Sequence, residues 1–192
     1  VFPNMGDGGL SVGGIWHSLA STGKLSEENL FADMYLGPEN VQNEESRNLN
    51  DPNLVIENIS QEKVAARAAK DIASNRIVAI HIGKMEFGPR ALGNRSILLD
   101  PRNSEIILQA NQRLRRTEFM PFAPVVSEEY VNEYFSIEGK NSQPFYYMTM
   151  TCQVKKEAQG ILPAITHVDG SARPQIINQK INPMLYKIID EF

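Results

Sequence analysis

Apolar positions change period several times along the 192-residue chain, and each change predicts an element. Leu10, Ile15 and Leu19 recur at helical spacing after a turn punctuated by Pro3, Asn4, Gly6, Gly8 and Gly9, which predicts a helix over residues 9–21. Residues 54–59 are mostly apolar and predict a short strand. Ser60 then stands where a helix cap is expected, before Val64, Ala68 and Ile72 on one helical face. Residues 77–82 form a continuous apolar run, the pattern of a strand buried on both sides. A Gly-rich basic loop follows, with a second strand over 96–99. Ser104 opens a helix carrying Ile107, Leu108, Ala110 and Leu114. Residues 122–126 read as extended, 128–135 as a short helix, and 145–154 and 172–177 as strands. Asn182-Pro183 opens a last helix with the cap and the first-turn proline in place. Helices and short strands interleave, so the pattern predicts a mixed α/β chain of the α+β class.

Composition narrows the function classes. Apolar residues make up 42% of the chain and charged residues 22%, enough for a packed core in an ordinary soluble balance. Nineteen Lys and Arg against 23 Asp and Glu leave a net charge of -4, which argues against a basic nucleic-acid coat. The single Cys152 excludes an intramolecular disulfide and a Cys-rich zinc cage. No apolar run approaches the roughly 20 residues of a membrane-spanning helix. Val1 opens a Gly-rich stretch with neither a basic start nor an apolar core, so no export signal is read and a cytoplasmic location is expected. A first residue other than Met reads as a processed chain or an excised fragment.

Charge is unevenly placed. Residues 27–62 hold nine acids and one base, Arg47, and read as a connector. Residues 84–116 hold seven bases and three acids, a local charge of +4. Within them, Gly83-Lys-Met-Glu-Phe-Gly-Pro-Arg-Ala-Leu-Gly-Asn-Arg-Ser-Ile97 leaves the end of a predicted strand, where ligands of α/β sheets commonly sit. Its glycines would let backbone N–H groups approach an anion. Lys84, Arg90 and Arg95 add positive charge, and each Arg could fork onto a phosphate or carboxylate. A nucleotide or an acyl phosphate fits this chemistry. A surface loop whose arginines pair with the acidic connector fits it equally. Neither the Walker order nor Gly-x-Gly-x-x-Gly is present.

The run from Met85 to Leu98, with Asp100-Pro-Arg102, resembles the signature of NodU/CmcH-type O-carbamoyltransferases. The resemblance extends to Gly6-Asp-Gly-Gly9, Tyr35-Leu-Gly-Pro38, Phe119-Met-Pro-Phe-Ala-Pro124 and Pro163-Ala-Ile-Thr-His-Val-Asp-Gly-Ser-Ala-Arg-Pro-Gln175. It implies a two-part parent: an N-terminal Kae1-like domain of the actin/Hsp70 type, and a C-terminal domain similar to YrdC/Sua5, a twisted mixed sheet flanked by helices. It would make residues 1–37 the tail of the first, 38–53 a connector and 54–192 the second. It implies carbamoyl adenylate made from carbamoyl phosphate and ATP, with Mg²⁺, and transfer of the carbamoyl group to an acceptor hydroxyl. Lys84, Arg90 and Arg95 would be catalytic by positioning and neutralising anionic substrates. Gly88, Asn94, Ser96, Arg102, Arg116, His167 and Arg173 would contact substrate or nucleotide. Asp7 resembles a carboxylate ligand of iron or another divalent metal in the longer parent, where it acts with two histidines this chain lacks. Met120 stands where the family carries Arg, a contact Arg115 or Arg116 would have to supply. The chain also ends before the family's Asn-Thr-Ser-Phe-Asn-type segment, so a fragment incomplete for the whole reaction is expected.

Other residues keep two readings. Glu86 would hold a hydroxyl or Mg²⁺, or form a salt bridge to Arg90 or Arg95. His167 and Asp169, two apart, would share one face of a strand, as a metal or base pair or in a structural hydrogen bond. Three histidines, His17, His81 and His167, argue against a complete metal cage. His81 reads as a core or pocket-wall residue, and Cys152 as a small buried one. Arg102, near a helix start, could equally serve structure. The rival function is a YrdC-like module that binds nucleotide or double-stranded RNA without catalysis; an inactive truncation product is a third. A homodimer is compatible with the sequence, and the acceptor is left open.

Overall fold

A computed structural model describes residues 3–26, 33–39, 51–116, 122–137 and 141–192. Met120, Arg47 and most of the expected connector lie outside the described residues. The architecture is α+β, with helices beside three small sheets. Among the described residues the expected twisted mixed sheet is thus divided. No described helix is long and apolar enough to cross a membrane.

The longer helical periods are realised within a residue or two, while the helix expected over 128–135 is shortened to the single turn Val131–Tyr134. Helix α1 spans Leu10–Ser21 and follows a 3-10 turn, Asp7–Gly9. Helix α2 spans Gln61–Ala73 and buries Ala65, Ala68, Ala69 and Ile72. Ser60 has the extended backbone of a cap, but its side chain makes no capping bond. Helix α3 spans Glu105–Arg113, and Asn103, not the expected Ser104, accepts from the Glu105 N–H at 2.9 Å. The last long helix, Pro183–Glu191, begins as expected: Asn182 Oδ1 accepts from the Leu185 N–H at 3.1 Å. It packs against α2 through Ile188, beside Ala65, Ala68 and Ile72. Two single-turn helices, α4 (Val131–Tyr134) and α5 (Lys156–Gln159), precede it, so it is α6.

The strands depart more from the expected pattern. β1 (Val78–His81) pairs antiparallel with β2 (Arg95–Leu98), His81 opposite Arg95. β1 is not buried on both sides. Its side chains alternate between half-buried and exposed, and His81 is on the exposed side, because one face alone meets the α2–α6 core. β3 (Val125–Ser127) pairs parallel with β7 (Gln175–Ile177). β4 (Phe135–Ser136), β5 (Cys152–Val154) and β6 (Ser171–Ala172) form an antiparallel three-stranded sheet. Phe135, Val154, Ala172 and Ile176 close a second core over these two sheets.

Three expected strands are corrected. Residues 54–59 form none, since no described strand lies beside them; Val55 is 85% exposed. Residues 145–154 yield only β5. Pro144 opens a 3-10 helix, Gln143–Tyr147, and Met148 then takes a left-handed conformation that ends the extended path. The expected strand over 172–177 is broken at Arg173-Pro174, where proline removes a ladder donor.

Candidate functional site

The signature loop between β1 and β2 is organised by one carboxylate. Glu86 Oε1 accepts from the backbone N–H of Leu92 at 2.9 Å, Asn94 at 2.7 Å and Arg95 at 3.1 Å. The Gly93 N–H donates to Ser96 Oγ at 3.0 Å. Four successive amides are therefore committed within the protein. The Gly93 amide, one of those expected to face an anionic ligand, is thus taken by Ser96; Glu86 is the anion its neighbours bind, and among the described residues it makes no ion pair with Arg90 or Arg95.

Arg95 and Asn94 lock the same loop. Arg95 Nη1 donates to the carbonyls of Ile82 at 2.5 Å and Asn94 at 2.9 Å, and Nη2 to Gly83 at 3.1 Å. That leaves its Nε–H and one Nη2 hydrogen for a ligand. Asn94 is buried; its Nδ2 donates to the Lys84 carbonyl at 2.7 Å and its Oδ1 accepts from Asn182 Nδ2 at 2.8 Å. Gly88 has a φ of +116° and lies over the buried Asn4. Lys84 is exposed at the loop's start, opposite Glu39 in an isolated bridge.

Residues 33–39 clasp the loop from outside. The Gly37 N–H donates to the Met85 carbonyl, Met85 N–H to Pro38, and Phe87 N–H to Met34, at 2.9, 3.1 and 2.7 Å. A Cβ on Gly37 would meet Met85 Cβ at 2.8 Å, so the two backbones lie too close for a side chain. Tyr35 donates its hydroxyl to the Leu92 carbonyl at 2.8 Å and accepts from Asn182 at 3.2 Å. Burial pushes the Tyr35 phenol up to about 12, and Glu86 adds to this.

Arg90 within this loop and Arg173 beside it carry positive charge. Arg173 lies in the β6–β7 connection, half-buried, and its Nε is buried without a hydrogen-bond partner. Burial lowers its pKa, and the positive charge of Arg90 lowers it further. Among the described residues neither guanidinium has an ion pair. A cleft of about 300 Å³ opens beside them in sequence, lined by Ala91, Arg95, Ser96 and Gln175 among Phe122 and Met148.

The remaining predicted residues stand elsewhere. Arg102 forks onto Asp100 (Nη2 to Oδ2 2.6 Å, Nε to Oδ1 2.9 Å) and lies 4.8 Å from the Phe192 ring centroid. Those bonds hold the buried Asp100 carboxyl below its ordinary range. Arg116 lies 4.9 Å from the Phe122 ring centroid. His167 belongs to a turn and not to a strand, a correction: its N–H donates to the Ser171 carbonyl at 2.7 Å, and Gly170 has a φ of +78°. The Ser171 hydroxyl donates to Asp169 Oδ1 at 2.7 Å, so its 3.0 Å contact with His167 Nδ1 makes that nitrogen the donor. Ser171 also lowers the Asp169 pKa. Asp7 is exposed, and among the described residues no three His, Cys, Asp or Glu side chains converge to hold a metal. Cys152 is half-buried, and burial pushes its thiol up to about 11, away from reactivity.

Three polar residues that charge reasoning passes over are central here: Tyr35, Gln175 and Asn182. Tyr35 and Gln175 fall inside the matching runs of the family resemblance, and Asn182 was legible only as a helix cap.

The family described as carbamoyltransferase C-terminus matches residues 69–192, and the chain belongs to it. The uncharacterized protein MJ1058 of Methanocaldococcus jannaschii is 37% identical over 201 residues, covering 100% of this chain and 32% of that protein. Nodulation protein NolO of Bradyrhizobium diazoefficiens is 34% identical, covering 100% and 35%. The 3'-hydroxymethylcephem-O-carbamoyltransferase of Streptomyces clavuligerus is 34% identical, covering 66% and 23%. The chain spans about a third of the length of the first two of these relatives.

Proposed function

We propose that this chain is the donor-binding part of an O-carbamoyltransferase, a YrdC-like unit that handles carbamoyl phosphate and ATP. Family membership supports the transferase reading, and so does the relative named as a cephem O-carbamoyltransferase. The observation that carries the chemistry is that a buried Gln175–Leu92 hydrogen bond joins the segments bearing Arg90 and Arg173, while among the described residues neither guanidinium has an ion pair. Two guanidiniums without a counter-ion favour a shared phosphate, which each can fork onto.

Carbamoyl phosphate, ATP and one water would give carbamoyl adenylate, phosphate and pyrophosphate. Water cleaves the carbamoyl–phosphate linkage, releasing phosphate and leaving carbamate. A carbamate oxygen then bonds to the α-phosphorus as the α–β phosphoanhydride breaks and pyrophosphate leaves. The chain's part is to bind and orient. Arg90 and Arg173 neutralise phosphate charge, the remaining hydrogens of Arg95 face developing charge, and Lys84 adds a mobile cation at the loop's start. Glu86 keeps the loop's shape throughout. Mg²⁺ would arrive with the nucleotide, neutralising its phosphates. The acceptor hydroxyl, and any iron held by the longer parent, belong to its other part.

The test is carbamoyl-phosphate-dependent release of pyrophosphate from ATP. Release that falls at least about tenfold in Arg90→Met and in Arg173→Met supports the reading. Release that is unchanged in both variants, or absent altogether, contradicts it. Nucleotide binding without release would favour the non-catalytic module instead.

A further inference from the structure

The Leu92 carbonyl is held from two sides. Tyr35 donates to it from residues 33–39, and Gln175 Nε2 donates to it at 2.8 Å from β7. Gln175 is 5% exposed, so this is a buried bond. Leu92 follows Arg90 by two residues, and Gln175 follows Arg173 by two. One hydrogen bond therefore joins the two short segments that carry the two guanidiniums. Each segment is also anchored on its own side. The Leu92 N–H is fixed by Glu86, while the Gln175 N–H donates to the Pro124 carbonyl at 2.8 Å. Pro174, fully buried, restricts the backbone of Arg173 before it. Left to themselves the two arginines would separate, because like charges in a partly buried place repel strongly.

We infer that Gln175 is a positioning residue: its bond to Leu92 holds Arg90 and Arg173 at a spacing that a bridging phosphate group relieves. The inference rests on the reading of that pair as the anion site. Gln175 acts through the loop's backbone, to which its amide donates. Its loss lets the two segments relax apart, so each arginine still meets an anion but no longer both at once.

The experiment is calorimetric titration of the 192-residue chain with pyrophosphate and with inorganic phosphate, as a double-mutant cycle. Gln175→Met keeps the volume and removes the donor. Gln175→Asn keeps an amide too short to reach Leu92, and serves if the first variant does not fold. Either should weaken pyrophosphate binding about tenfold in the wild-type background and change it little when Arg173 is already Met. A residue that mattered only for folding would cost the same in both backgrounds, and that result overturns the inference. If Arg90→Met and Arg173→Met weaken binding while the Gln175 variants bind as wild type, the positioning role fails and the anion site stands. If the arginine variants bind as wild type, or wild type binds neither anion, the anion site fails and the inference falls with it.

Discussion

Gly93 has a φ of +106°, and a Cβ there would stand 2.3 Å from Leu185 Cδ2. Gly93→Ala combines left-handed strain with a clash against a side chain that is itself 1% exposed. The expected loss is about 2–4 kcal/mol, read by urea denaturation. The glycine was legible in sequence as a place of close backbone approach. What approaches it is α6 and not a phosphate, which one sequence could not tell. Glu86 repeats the lesson. Its charge suggested an ion pair, whereas three backbone amides take its oxygen. Glu86→Gln keeps the shape and loses the charge-assisted bonds, so it should cost about 1–3 kcal/mol in the same measurement. Asp100 gives a pH dependence. Its folded pKa is depressed, so its contribution is present above the unfolded value of about 3.9 and is lost as pH falls through the folded one. Thermal melts of Asp100→Asn should lose stability at neutral pH relative to wild type and show a shallower decline in acid.

Helix α6 joins the larger packing to the site. Ile188 is fully buried against α2, and Asn182, one residue before the helix, bonds Asn94 and Tyr35. Ile188→Ala should cost about 2–5 kcal/mol by leaving a cavity between the two helices. The helices were well legible because a 3.6-residue period and a proline start are local signals. The strands were less so. An apolar run such as residues 54–59 has the right residues for a strand, but a strand also needs a neighbour, which local pattern does not supply. The 173–174 break and the left-handed Met148 interrupted two further runs for backbone reasons. The candidate site was half legible. The excess of positive charge over residues 84–116 located the loop, while the ties through Tyr35, Gln175 and Asn182 link positions 57 to 147 residues apart.

At the scale of the molecule, a chain of net charge -4 carries a local excess of positive charge over residues 84–116, and among the described residues Arg90 and Arg173 make no ion pair. Among the described acidic residues near it, Glu57 binds Arg67, Asp100 binds Arg102, and Glu86 binds backbone, while much of the acidic connector lies outside the described residues. An anionic substrate is the partner the proposed function assigns to the two arginines. The most direct measurement is the affinity of carbamoyl phosphate for wild type and for Arg173→Met, by calorimetry at fixed low ionic strength. The account predicts measurable binding that weakens at least about tenfold in the variant, with the fold retained. Equal affinities in the two proteins would contradict it.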